Sequence, residues 1–377
     1  MDSLGIYIHL PFCAHKCPYC DFNAYSGMGS MVDRYTEALC DEIAKSTFRG
    51  RVVTSIFFGG GTPTYLDADQ LSRILYSVRK NFDVAESAEI SSEANPTSVD
   101  AAKFASMRAA GFNRISIGVQ AFNDQLLEVL EREHSRDEAI RSFYAARSAG
   151  FDNISIDLMF CLPTQTMKDW RETLAVAGEL EPDHISTYSL TIEPGTRFER
   201  LYAGGKLQLP DDNIELGMYE YAIEELHKAG LKHYEVSNFA RPGYEARHNL
   251  IYWNNGEYLG FGAGAVSFLG GTRWTNEKHP ERYIQWVENG KGLVIEQETL
   301  GTIDSLAETL TQGLRLRRGV QVAKLSERFG VDAGRQFESK FQSLEEKELI
   351  EFENGSVRLT HKGLLLANDV FVDLLPD

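Results

Sequence analysis

The sequence has no run of eighteen apolar residues and so no segment long enough to cross a bilayer as a helix. Its first residues, MDSLGIYIHLPFC, lack both a basic leader and a small-residue cleavage site behind a long apolar stretch, which points to a cytoplasmic address. Positive charge is in deficit: 38 Lys and Arg against 55 Asp and Glu leave a formal charge of −17. A phosphate backbone would meet repulsion on such a surface, so nucleic acid is not expected as a partner. Tracts of Gln, Ser or Pro are missing, and with 43% apolar and 11% aromatic residues the chain can bury a substantial core instead of staying disordered. Cysteine is scarce, and its five copies are an odd number with three crowded into FCAHKCPYC. That excludes the disulfide framework of a secreted protein and favours a metal or cluster site in a reducing compartment, leaving Cys40 and Cys161 as packing residues.

What is present is a long alternation of short β-branched or aromatic runs with helical stretches, up to about residue 195. Strands are expected at GIYIHL, VVTSIFF, AEISSE, RISIGV, NISIDLM and HISTYSL, with helices between them. Repeated βα units imply a parallel sheet. The echoes AAGFNRISIGV and SAGFDNISIDL place helix-ending glycines at Gly111 and Gly150 before a strand, and KAGLKHYEV gives a weaker third copy at Gly230. The predicted fold is α/β, an open or partial (β/α) barrel over residues 1–235. Residues from about 200 to 300, rich in Tyr, Trp, Asn and Gly, are expected to complete the sheet and cover the opening, with the barrel completion itself at 236–300. A C-terminal winged-helix-like α+β domain follows at 301–377, its hairpin marked by Asn354-Gly355. Residues 305–377 carry 12 acidic and 10 basic side chains, so this tail is expected to be structural or to contact a partner rather than DNA.

Each strand is followed by a polar or glycine-bearing motif, and in a parallel barrel those ends share one rim. The first carries Cys13, Cys17 and Cys20 in the spacing C-x3-C-x2-C, with Phe22 where a fourth cysteine two places on would stand. Three thiolates can hold three irons of a [4Fe–4S] cluster and leave the fourth iron open to a ligand that is not protein. A zinc ion completed by His9 or His15 is the alternative. Gly59, Gly60 and Gly61 before Thr62 and Pro63 allow close approach of backbone to a ligand, or simply end a strand. Glu93 and Asp157 are strand-end carboxylates fit to accept from ribose hydroxyls or to pair with Arg114 or Arg132. Gln120 is a ligand contact or a strand-end amide, and Arg132 a carboxylate partner or a solvated side chain.

The cysteine spacing, with Tyr19 before the last thiol, resembles the signature of the radical S-adenosylmethionine (SAM) superfamily. The motifs YIHLPFC, GGGTPT, EANP, RISIGVQAFN and IDLMFCLPTQT are similar to its oxygen-independent coproporphyrinogen III oxidase-like branch over nearly the whole chain. The resemblance implies a [4Fe–4S] cluster on the three cysteines, chelated by the amino and carboxylate groups of SAM. It implies SAM contacts at Tyr7, Tyr19, Gly60, Gly61, Thr62, Glu93, Gln120, Arg132, Asp157, Thr191 and Val266. Within the branch, the oxidases carry a fourth cysteine and an N-terminal arm; Phe22 and the 12 residues before Cys13 depart from both. The sister group, the HemW-type haem chaperones, carries H-N-x-x-Y-W, matched here by His248, Asn249, Tyr252 and Trp253. A neutral imidazole can ligate haem iron while Tyr and Trp offer flat faces to a porphyrin. The resemblance therefore implies a cytoplasmic haem-binding chaperone, transiently associated with membranes, that delivers haem to membrane-associated and respiratory haemoproteins. It leaves open a homodimer, and a radical SAM decarboxylase of coproporphyrinogen III as the alternative activity. Three details differ from the family pattern: Cys161 at a turn usually held by Gly, EREHS in place of a Gly-Arg start, and Val266 where His is common.

Overall fold

The computed structural model describes residues 4–376. Six strands run parallel in chain order: β1 (Leu4–Leu10), β2 (Val52–Gly60), β3 (Asp83–Ala94), β4 (Arg114–Gln120), β5 (Ile154–Phe160) and β6 (His184–Ser189). The sequence dictates where the intervening helices begin and end. Capping boxes open them at Asp67–Gln70, Ser135–Glu138 and Thr166–Asp169, each satisfying two free N–H groups of the first turn. At the other end Gly111, with φ +108°, stops the helix Ala101–Ala110 in the left-handed conformation that side chains resist.

The strands alternate faces, so Ile6, Ile8, Ile56, Phe58, Ile115, Ile117, Ile154 and Ile156 point outward under the helices and are fully buried. Each such side chain contributes about 1.5–3 kcal/mol on leaving water. The opposite face, with Tyr7, Ser55, Glu93, Ser116 and Asp157, lines the lumen.

The sheet is longer than the βα repeat. Strands β7 (Lys232–Glu235), β8 (Asn238–Ala240), β9 (Glu257–Phe261), β10 (Val266–Leu269), β11 (Thr272–Asn276) and β12 (Val294–Thr299) extend it to twelve strands in the order β12-β11-β10-β9-β1-β2-β3-β4-β5-β6-β8-β7. Only β9 joins the parallel set, beside β1; the strand after Gly230 pairs antiparallel with β8, so the third echo is not a third βα unit. The region at 236–300 does extend the sheet. It does not cover the mouth, because its short helix Arg247–Trp253 packs near Gly5 and Ser55, at the amino ends of β1 and β2 and away from the rim.

Beyond residue 300 a second apolar cluster, from Leu306 to Leu374, is built on helices and a three-stranded sheet of β13 (Val320–Gln321), β15 (Ser356–Leu359) and β14 (Ile350–Glu353). Asn354 (φ +51°) and Gly355 (φ +77°) form the tight two-residue turn between β14 and β15.

One buried carboxylate ties the additions to the barrel. Glu42, on the helix Val32–Lys45, accepts from Tyr283 Oη (2.6 Å), the Gly262 N–H (2.8 Å) and Asn276 Nδ2 (2.7 Å), and burial raises its pKa to about 7. Glu42→Ala leaves Tyr283 Oη and the Gly262 N–H without an acceptor and Asn276 Nδ2 with only the Gly262 carbonyl (3.2 Å), and should lower the urea-unfolding free energy by roughly 3 kcal/mol; a loss below about 1 kcal/mol would contradict this role.

Candidate functional site

At the carboxyl ends of the parallel strands lies a cavity of about 370 Å³. The cysteine loop forms one wall. Phe12–Cys13 pairs with Tyr25–Ser26 to close the loop at its base, and the Cys20 N–H donates to the Cys17 carbonyl (3.1 Å), which turns the three thiols into the cavity. Thr62 Oγ1 donates to Cys13 Sγ (3.5 Å) and Arg132 Nη1 to Cys17 Sγ (3.7 Å), while Arg132 Nη2 is fixed on the Gly118 carbonyl (2.7 Å). All five cysteines are unpaired.

The alternative of zinc finds little support in this arrangement. His9 is held by Tyr7 Oη (3.0 Å) and the Asn23 carbonyl (2.9 Å), and His15 faces Glu131 (3.4 Å). Thiols that each take a different iron suit a cluster. Two further features fit a small charged ligand beside them. A Cβ at Gly61 would stand 2.7 Å from the Phe12 carbonyl oxygen and 3.0 Å from Cys13 Sγ, so only glycine leaves this cradle open, and Arg132 Nε is buried without a partner.

Of the expected SAM contacts, Tyr19, Gly61, Thr62, Glu93, Gln120, Arg132, Asp157 and Thr191 line this one cavity. Gly60 acts from behind, its N–H donating to Glu93 Oε2 (3.3 Å). Tyr7 and Val266 do not line it: Tyr7 is buried in the lumen against Phe57, and Val266 begins β10. Cys161 sits at φ +57°, which explains the glycine common at this turn; burial raises its thiol to about 12, leaving it inert.

Sequence reasoning missed what holds the carboxylates. Ser116 Oγ donates to Asp157 (3.0 Å to each oxygen), Ser186 Oγ at 2.8 Å and Ser155 Oγ at 3.4 Å. The signal was available: β4, β5 and β6 each contain Ile-Ser, in register between β4 and β5 (Ser116 opposite Ser155) and two residues further along in β6, which puts Ser186 opposite Asp157. Arg114, 2% exposed, lies close enough to favour ionisation of both Glu93 and Asp157. Burial first, then the Asp157 charge, nevertheless raises Glu93 to about 8, and burial raises Asp157.

The His248 motif lies deeper in the lumen, away from the mouth. His248 is 1% exposed, with Nδ1 bonded to Ser55 Oγ (3.0 Å) and Nε2 to Tyr252 Oη (2.8 Å). Phe57 stacks on its ring at 5.3 Å, and burial pulls its pKa down to about 3, so the imidazole is neutral. Both nitrogens are engaged, and in this conformation the ring offers no lone pair to an incoming iron. Trp253 lies under the Arg315 guanidinium, and its Nε1 is buried without a partner. A buried chain links the two regions: Asp157, Ser155, His184 (2.8 Å from Ser155), Tyr234 (2.9 Å from His184) and the Ala246 N–H (3.3 Å from Tyr234), just before the motif helix.

The carboxylate pair generates a pH test. Glu93 is raised in the folded state, so the fold keeps its proton between about 4.5 and about 8 while the unfolded chain releases it. Relative to Glu93→Gln, the wild-type chain should lose unfolding free energy as pH rises across that window; a gain would show that Glu93 is instead held ionised.

Comparison with known proteins agrees with this geometry. Residues 7–177 match the radical SAM superfamily, and residues 302–366 match the HemN C-terminal domain. The chain is 40% identical to heme chaperone HemW of Bacillus subtilis over 97% of both chains, and 41% identical to heme chaperone HemW of Escherichia coli over 76% of both. The solved coproporphyrinogen III oxidase HemN of Escherichia coli, a radical SAM enzyme, superposes with a TM-score of 0.87 at 27% identity, covering 99% of this chain and 90% of that one. Shared shape with the oxidase and greater identity to the chaperones place the molecule: the chain belongs to the HemW family, within the oxygen-independent coproporphyrinogen III oxidase-like branch of the radical SAM superfamily.

Proposed function

We propose that this chain is a haem-binding chaperone on a radical SAM scaffold. The observation that carries the proposal is near-full-length identity to proteins named heme chaperone, in a chain that retains the His248-Asn249-Leu250-Ile251-Tyr252-Trp253 motif on one helix. Phe22, 62% exposed beside the cysteine loop, stands where the oxidases place a further thiol, which counts against decarboxylation of coproporphyrinogen III.

In this proposal Cys13, Cys17 and Cys20 hold a [4Fe–4S] cluster, which when bound supplies an open iron for SAM and the electron for its reductive cleavage. The chain's own groups do the positioning. Arg132 offers a guanidinium to the SAM carboxylate, Gly60, Gly61 and Thr62 leave room for its amino acid end, and Asp157, steadied by three serines, accepts from ribose hydroxyls. Glu93, Gln120, Tyr19 and Thr191 complete the wall. Haem is cargo, with His248 as its iron ligand once the ring is released from Ser55 and Tyr252, and with Tyr252 and Trp253 as flat contacts. Membrane-associated haemoproteins, respiratory ones among them, are the proposed acceptors, reached from the cytoplasm; among the described residues no helix is long and apolar enough to cross a membrane.

Anaerobically reconstituted protein should contain iron and acid-labile sulfide, and Cys17→Ala should lose most of both; zinc without sulfide would overturn the cluster. In a haem titration, His248→Ala should weaken binding at least roughly tenfold, the scale of losing one direct ligand, and abolish the wild-type Soret position. Unchanged affinity and spectrum would remove His248 as the ligand. The same protein incubated with SAM, a reductant and coproporphyrinogen III should form no protoporphyrinogen IX.

A further inference from the structure

The C-terminal domain holds the carboxyl end of the motif helix and the strand that precedes it, while the first turn of the helix is held by the barrel, with the Arg247 and His248 N–H groups donating to Glu89 (3.2 Å each) and Arg247 Nη1 to the Ser87 carbonyl (2.9 Å). Just past the helix, Arg328 donates to the Asn254 carbonyl (3.0 Å) and the Asn255 carbonyl (2.7 Å), and Arg318 Nη2 donates to Asn254 Oδ1 (2.9 Å). The Asn255 amide in turn donates to Thr309 Oγ1 (2.9 Å). Arg315 lies over the Trp253 ring, 4.3 Å from its centroid, with Nη2 3.8 Å from the fully buried Glu235. Upstream of the helix, the Val236 N–H donates to the Arg315 carbonyl (3.1 Å) and the Arg317 N–H to the Tyr234 carbonyl (3.0 Å), so Leu316 bridges to Glu235.

These contacts come from one short stretch, residues 309–328, and act on one segment, residues 234–255. A rigid shift of the C-terminal domain would break them together. With the grip intact, His248 is 1% exposed in the lumen between Ser55 and Tyr252, with both ring nitrogens engaged. The closed state is also imperfect, because Trp253 Nε1 and Arg315 Nε are both buried without partners, a cost that opening would relieve.

We infer that the C-terminal domain is a latch on the haem motif: undocking of Arg315, Arg318 and Arg328 frees the carboxyl end of the helix Arg247–Trp253 to swing away from the base of the barrel about its Glu89-held first turn and present His248, Tyr252 and Trp253 to haem. The inference rests on the haem assignment proposed above. Haem binds only the open form and so shifts the equilibrium toward it, which makes the opening step, not encounter, limit the rate at high haem concentration.

The test pairs Arg318→Ala and Arg318→Ala/Arg328→Ala with His248→Ala in the full chain. Without haem, amide hydrogen exchange across residues 247–255 should quicken by roughly tenfold in the double variant, as expected when charge-assisted hydrogen bonds holding a local opening are removed. With haem, stopped-flow association should reach a plateau rate in the wild type, and that plateau should rise by a similar factor. If the double variant does not fold, Arg318→Ala, which removes one exposed contact, should show the same changes on a smaller scale. Unchanged exchange and an unchanged plateau in a folded variant overturn the latch. Faster exchange with haem binding that is insensitive to His248→Ala supports the latch as a mechanical device and overturns the haem assignment, so the two failures are separable.

Discussion

Three thiols in one short loop, with no fourth side chain beside them, are the constraint on which the rest of the site depends. Under the proposed cluster assignment, a donor set that is one short takes a partner from outside the chain, and the surrounding residues offer groups suited to charge and to hydroxyls. Arg132 is pinned between Cys17 and the Gly118 carbonyl, Gly61 keeps the space beside Cys13 open, and the serine ladder fixes Asp157 at the far wall. Because these groups come from β1 through β6 and the segments that follow them, the register of the parallel sheet does the assembling.

The same sheet separates two groups of residues along its axis. The thiols occupy the carboxyl rim, whereas His248 sits nearer the amino ends of β1 and β2, beside Gly5 and Ser55. Between them the lumen is filled with polar groups in continuous hydrogen-bonded contact, from Asp157 through Ser155, His184 and Tyr234 to the start of the motif helix. A buried network of this kind transmits shifts in position because its members have few alternative partners. The cavity at the rim and the motif helix at the base are thus connected through the interior of one barrel, with the C-terminal domain packed against the second of them.

Much of the fold was legible in the sequence because local chemistry sets it. Alternating βα pattern, capping residues at Asp67, Ser135 and Thr166, left-handed helix stops at Gly111 and Gly150, and the Asn354-Gly355 turn all act over a few residues. The rim motifs were legible for the same reason, since a parallel barrel brings strand ends together whatever its details. Other features depend on which strand lies beside which. The direction of the strand after Gly230 and the burial of His248 beneath Phe57 follow from tertiary pairing and leave no local signal. The serines around Asp157 lie between: their pattern is in the strands, and their meaning appears only with the register. Arg114, one of the two arginines the sequence offers as partners for Glu93 and Asp157, is buried in the fold and close enough to favour ionisation of both.

The open corner of the thiol set can be examined directly by electron paramagnetic resonance of the reduced, anaerobically reconstituted protein during titration with SAM. If Cys13, Cys17 and Cys20 leave one iron for the amino acid end of SAM, the cluster signal will change its g values as SAM saturates, and Arg132→Ala will require more SAM for the same change. A reduced-cluster spectrum that stays the same at saturating SAM would contradict it.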